Sequence, residues 1–220
     1  VGMKNPLLQL MLHGNAIAKA DININYPGVK LVKVNRVENE NYLFVFFLIT
    51  SAAKPGVMNI KVNKSDSPIN IPFELNARRK GNGNTFAQGV NNHDFIYLIM
   101  PDRFSNGDET NDRVAGMKDQ SLNRDTVFNR HGGDLQGVQN HLDYLYKLGV
   151  TSIWLNPVIE NDMPNRTEHG YAFTNHYKVD PRLGGDKAYH ELVDATHKKG
   201  MKVIQDAVYN HVGIYHFTVT

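Results

Sequence analysis

A chain of 220 residues, 41% apolar, with a net charge of +2, has material for one large domain or two small ones and no excess charge to suggest nucleic acid. It has no cysteine, which excludes disulfides, zinc–thiolate centres and thiol nucleophiles. Its longest apolar run, Tyr42 to Ile49, is far short of the roughly 20 residues a membrane-spanning helix needs.

The apolar stretch Leu7 to Leu12 is too short and too poorly flanked for a signal peptide, so an exported form would already be mature. Leu31 to Val34 alternates, Tyr42 to Thr50 is aromatic and β-branched, and Val57 to Val62 and Ile69 to Leu75 alternate again. Turns at Tyr26-Pro27-Gly28, Glu38 to Asn41, Lys54-Pro55-Gly56 and Ser65 to Pro68 separate them. Strands at that spacing predict a small β-sandwich over residues 1–76. Residues 77–90, basic and then rich in Gly and Asn, form a linker to a second region, 91–220.

Beyond the linker the rhythm becomes strand, loop, helix. Phe95 to Met100 is a continuous apolar run, expected of a strand buried on both faces. Leu135, Val138, Leu142 and Leu145 share a helical stripe that Gly149 ends. Val150 to Leu155 predicts a second strand. Asp186 is placed to cap a helix stopping at Gly200, and Lys202 to Ala207 predicts a third strand. The order β-α-β-α-β implies a parallel sheet. Three strands leave an apolar edge unpaired, so the α/β domain reads as unfinished. Charge also divides the chain: residues 1–90 carry 11 Lys and Arg against 5 Asp and Glu, residues 91–220 carry 13 against 17. Nine of the ten histidines lie in the second part, which favours two domains, the second richer in ligand-type side chains.

Three clusters carry chemistry. Asn106-Gly107-Asp108, with Asn111 and Asp112, is followed by His131-Gly132-Gly133-Asp134. Calcium takes about six to eight oxygen ligands from carboxylates, amides and carbonyls, which this set offers without EF-hand spacing. The same residues also make surface turns, with Asp134 capping a helix, and on spacing alone that reading prevails. Glu168-His169-Gly170-Tyr171 leads into Asn175 to Pro181; an aromatic beside polar groups can stack on a sugar, although a packed loop tyrosine is commoner. Asp206, Asn210 and His211 follow the third strand, where the C-terminal ends of barrel strands present reactive groups. His190-Glu191 with His197 is not a His-Glu-x-x-His helix, and no glycine-rich phosphate loop occurs.

In this order the motifs resemble the α-amylase superfamily, glycoside hydrolase family 13, and most closely its cyclomaltodextrinase and neopullulanase branch. Phe95 to Phe104 is similar to that family's first barrel strand, His169-Gly170-Tyr171 to Pro181 to the segment after strand two, and Asp206 to His211 to the end of strand three. The resemblance implies an N-terminal immunoglobulin-like β-sandwich followed by the first three strands of a (β/α)8 barrel. It implies Tyr171 stacking on a sugar ring, His211 bonding that sugar, and Asp206 holding an arginine from strand four. It implies calcium bound by Asn106, Asp108, Asn111, Asp112, the Gly132 carbonyl and Asp134. Where the family often has aspartates in the strand-two loop, Ala172 and Asn175 stand here.

The implied activity is retaining hydrolysis of cyclodextrins, maltooligosaccharides, pullulan or starch, with two copies pairing through the N-terminal domain. The family's nucleophilic Asp, acid/base Glu and third Asp sit on strands four, five and seven. Residues 1–220 alone are therefore expected to be inactive, as the N-terminal portion of such an enzyme. The alternatives are a non-catalytic carbohydrate-binding protein and a calcium-stabilised fragment. The absence of cysteine and of a leader favours the periplasm or export, with the cytoplasm as the alternative; neither nucleic acid nor membrane is an expected partner.

Overall fold

A computed structural model describes residues 1–220 except 65, 66, 82, 84–86 and 220. The turn expected at Ser65-Asp66 and much of the linker's Gly/Asn tract lie outside the described residues. The chain divides into two compact units, Val1–Gly89 and Val90–Thr220.

The first unit holds two antiparallel sheets. In one, β4 (Tyr42–Ile49) lies between β1 (Leu7–His13) and β3 (Val29–Arg36). In the other, β5 (Gly56–Lys64) lies between β2 (Asp21–Ile24) and β6 (Ser67–Leu75). Side chains alternate across a pleated strand, so β4 buries Leu43, Val45, Phe47 and Ile49, and β5 buries Met58, Ile60 and Val62. These two rows meet in a single apolar core.

The second unit is built on a parallel sheet in which β8 (Ser152–Leu155) pairs with β7 (Ile96–Ile99) and β11 (Lys202–Gln205). Tyr97, Ile153 and Val203 are in register and join Ile99 and Leu155 in the core made with α2 (Leu135–Asn140), α3 (Leu142–Lys147) and α4 (Gly185–Lys198). The opposite face, including Ile96, Leu98 and Trp154, is exposed. The expectation that Phe95 to Met100 is buried on both faces is corrected here, because helices cover one side of the three described strands.

Two other local expectations also change. The single helix predicted from Leu135 breaks at His141, whose φ of −105° and ψ of 9° leave the helical range, and whose Nδ1 contacts the Gly137 carbonyl at 2.8 Å. Asp186 does not cap α4. Gly184 occupies that position in the left-handed conformation, and Asp186 Oδ1 instead accepts from Val179 N at 2.8 Å. Helix α1 (Pro101–Phe104) is one turn, and β9 (Ile159–Glu160) and β10 (Asn175–Val179) form a short antiparallel ribbon in the loop after β8.

Candidate functional site

The C-terminal ends of the parallel strands collect the polar groups. Asp206 directly follows β11, and its Oδ2 accepts from the Tyr171 hydroxyl at 2.9 Å and from the Trp154 indole at 3.3 Å. His211 Nε2 lies 2.9 Å from the Tyr171 carbonyl, which can only accept, so Nε2 carries the proton. The structure thus brings Tyr171, Asp206 and His211 into one constellation. Burial first, and then the hydrogen bond and charge of Asp206, push the Tyr171 phenol above its usual range. At this site it is a hydrogen-bond donor.

Several features fix Tyr171 in place. Its N–H donates to His169 Nδ1 at 2.9 Å, and the two rings stack with centroids 5.8 Å apart. Burial pushes the His169 imidazole towards its neutral form, as that accepting Nδ1 requires. Asn156, just beyond β8, donates from Nδ2 to the His169 carbonyl at 3.2 Å. Gly170 has φ of +81°, and a Cβ there would strike the Pro157 carbonyl oxygen, so the backbone passes where other residues do not fit. Phe173, fully buried, lies beside His211 and edge-on to His176. His176 Nδ1 is 2.9 Å from His216 Nε2.

Trp154 and Asn156 were not singled out from sequence. Trp154 sits in an apolar run that reads as wholly buried; its being the chain's one tryptophan was the available signal. The larger omission lies beneath the loop after β8, where Asp102, Asp119, Arg130, Asp180 and Arg182 are all buried. Arg182 forks onto Asp180, with Nε to Oδ1 at 3.0 Å and Nη2 to Oδ2 at 2.8 Å, and donates to the Asp119 and Asn161 carbonyls. Burial alone would raise the Asp180 carboxyl, but the Arg182 hydrogen bonds and charge, aided by Arg130, hold it below the ordinary range. Asp102 accepts from the His131 N–H at 3.0 Å, pairs with Arg103, and stands 3.6 Å from Arg130 Nη2.

The six residues of the expected calcium set are neighbours with unequal freedom. Asn106 Nδ2 donates to Asp112 Oδ1 at 2.8 Å, and a Cβ on Gly132 would lie 2.6 Å from that same oxygen. Asn106 Oδ1 and Asn111 Oδ1 are buried without hydrogen-bond partners. Burial, with lesser repulsion from Glu109 and Asp134, raises the Asp112 carboxyl. Those features suit a cation. Asp134, by contrast, caps α2 through Gly137 N at 2.6 Å and accepts from Gly107 N, Asp108 N and Asn111 Nδ2. Asp108 Oδ1 accepts from Thr110 N and Oγ1, which hold that carboxyl low. Among the described residues no group of three or more His, Cys, Asp or Glu is arranged to hold a metal ion, so a cation would need amide and carbonyl oxygens alongside any carboxylate.

Two family models match the chain. Residues 98–219 match the family model described as "Alpha amylase, catalytic domain", and residues 1–79 match "Cyclomaltodextrinase, N-terminal". The chain belongs to the α-amylase family. It is 34% identical to the periplasmic α-amylase of Escherichia coli K12 over 129 residues, covering 54% of this chain and 19% of that protein. It is 40% identical to a cyclomaltodextrinase of Thermoanaerobacter pseudethanolicus over 122 residues, covering 54% and 20%. A solved cyclomaltodextrin glucanotransferase with three domains superimposes with a TM-score of 0.51 at 30% identity, over 55% of this chain and 26% of that one. The chain therefore spans about a fifth of the length of the relatives it matches. Among the described residues no helix is long and apolar enough to cross a membrane.

Proposed function

We propose that this chain provides an immunoglobulin-like N-terminal sandwich and the first three barrel strands of a retaining α-glucan hydrolase. Its ligands are cyclodextrins, maltooligosaccharides, pullulan or starch. The observation that carries this is the Tyr171–Asp206–His211 constellation at the C-terminal ends of parallel strands, where barrel enzymes place their sites. Tyr171 offers a ring face to a sugar. His211 keeps Nε2–H on the Tyr171 carbonyl, so its exposed ring would meet a sugar hydroxyl through Nδ1, as an acceptor. Asp206 is a positioning residue: both of its contacts fall on Oδ2, so Oδ1 is the oxygen for a guanidinium from a neighbouring strand. Retaining hydrolysis needs two carboxyl groups about 5–5.5 Å apart across the glycosidic bond. The family resemblance puts both on later strands, so residues 1–220 bind glucan without cleaving it.

The one tryptophan supplies the test, because Trp154 touches Asp206. Titration with maltoheptaose or β-cyclodextrin should shift Trp154 emission, and Tyr171→Ala should weaken the response at least tenfold. An unresponsive tryptophan in a folded protein, or an unaffected Tyr171→Ala, would sink the reading. Reducing sugar released by the purified 220-residue chain would overturn the non-cleaving part.

We also propose a calcium site in the loop before α2. Asn106, Asp108, Asn111, Asp112, the Gly132 carbonyl and Asp134 would hold it, supported by the two unpartnered amide oxygens and the desolvated Asp112. Calcium would cross-link residues 106–112 to 131–134; Asp134 would join only by giving up an N–H it now accepts. Millimolar calcium should raise the midpoint of thermal unfolding and EDTA should reverse it. Equal midpoints with calcium and with EDTA would remove the site.

A further inference from the structure

Four buried side-chain atoms beneath the Tyr171 loop have no hydrogen-bond partner: Arg130 Nε and Nη2, Asn161 Oδ1 and Glu168 Oε2. Native interiors pair nearly all such groups, directly or through ordered water. All three residues line one cavity of about 10 Å³, alongside Asp102 and Thr167. That volume is close to a single water-sized probe, the minimum that holds one molecule. Arg130 Nη2 pairs with Asp102 Oδ1 only at 3.6 Å, longer than a direct hydrogen bond, so that contact leaves its N–H free to donate elsewhere.

The character of the four atoms selects the ligand. Two are donors on a guanidinium, and two are acceptors on an amide and a carboxyl. An anion would satisfy Arg130 but face the oxygens of Asn161 and Glu168. A metal cation would satisfy those oxygens but face the guanidinium. Only a small neutral group that accepts twice and donates twice completes the set.

We propose that this cavity is a binding site for one structural water molecule, accepting from Arg130 and donating to Asn161 Oδ1 and Glu168 Oε2. The water ties the segment before His131-Gly132-Gly133-Asp134 to the loop that carries Glu168, His169, Gly170 and Tyr171. Arg130 is then a positioning residue for Tyr171, acting through Glu168 and the water without touching a ligand. This holds whatever Tyr171 binds.

The wild-type chain, crystallised with bromide as the only halide, tests the site without any mutation. A single density peak within hydrogen-bond distance of Arg130, Asn161 and Glu168, without bromide anomalous signal, is the expected result. An anomalous peak would make it an anion site, and a direct Arg130–Glu168 ion pair filling the space would abolish it; either overturns the proposal. In solution, Glu168→Ala should speed amide exchange at Gly170 and Tyr171 at least fivefold, while Ile153 and Leu155 in the sheet stay unchanged. Unchanged exchange at Gly170 and Tyr171 would refute the positioning role.

Discussion

The two units solve the problem of a stable interior differently. Leu43, Val45 and Phe47 meet Met58, Ile60 and Val62 in the first, where all buried side chains of the described residues are apolar. In the second, an apolar cluster of similar kind lies under the sheet, but Asp102, Asp119, Arg130, Asp180 and Arg182 are buried beside it. Apolar burial is non-directional and scales with area, which suffices for two sheets pressed together. Loops cannot use it as readily, because their backbone N–H and C=O groups find no ladder. Arg182 shows the remedy: its guanidinium reaches the Asp119 and Asn161 carbonyls, each in a different stretch of loop. Charge is buried where irregular chain must be held at a fixed place.

The sharpest way to break this contrast is Asp180→Ala. It leaves Arg182 buried and unpaired, a change that costs about 3–5 kcal/mol where a buried pair loses one partner. The loss should appear in the unfolding of the second unit, and the double variant Asp180→Leu/Arg182→Met should recover little of it, because the Asp119 and Asn161 carbonyls and the Asn161 N–H stay without partners. Full recovery in the double variant would mean that the carbonyl contacts do not hold the loops. Phe47→Ala is the counterpart in the first unit. Truncating a fully buried phenylalanine costs about 3–5 kcal/mol through lost transfer energy and the cavity left behind. Exchange protection should fall in β4 and β5 and stay constant in β8; equal losses in both would contradict separate cores.

A smaller effect is expected at Asp94. Its carboxylate is held down to about 2 by Lys202 first, then by the Asn91 N–H and the Thr151 hydroxyl. It joins the segment before β7 to the starts of β8 and β11. A depressed carboxyl stabilises the fold fully above its unfolded value of about 4, and the gain disappears as pH falls through 2. Wild-type urea midpoints should therefore fall more steeply between pH 6 and pH 2.5 than those of Asp94→Asn. Parallel slopes would show that other carboxylates set the acid limb.

Legibility followed the same division. Strands β4 and β5 announced themselves by alternation, because one face meets the core and the other meets solvent. Strand β1 was missed because Leu7 to Leu12 is apolar at nearly every position and invites comparison with a leader, while β2 has only four residues. Tyr171, Asp206 and His211 were found because they follow strands in a recognisable order. The buried ion cluster was not, since Asp102, Arg130 and Asp180 are far apart in sequence and each, alone, looks like a surface charge. The break at His141 was also hidden, because the apolar stripe continues through it from Val138 to Leu142 and Leu145.

Gly170 has a consequence for anyone diversifying this loop. Any side chain there would drive a β-carbon into the Pro157 carbonyl oxygen, and the positive φ adds to the strain. The stretch around Pro164 to Arg166 is exposed and can absorb insertions or a new composition. A library that randomises positions 162–175 should therefore retain glycine at 170 in every surviving clone, while 164 and 165 drift freely and 166, whose φ is +53°, is confined to residues that tolerate it. New ligand preferences would then arise by re-shaping the rim of the loop around an invariant pivot that carries no chemistry of its own.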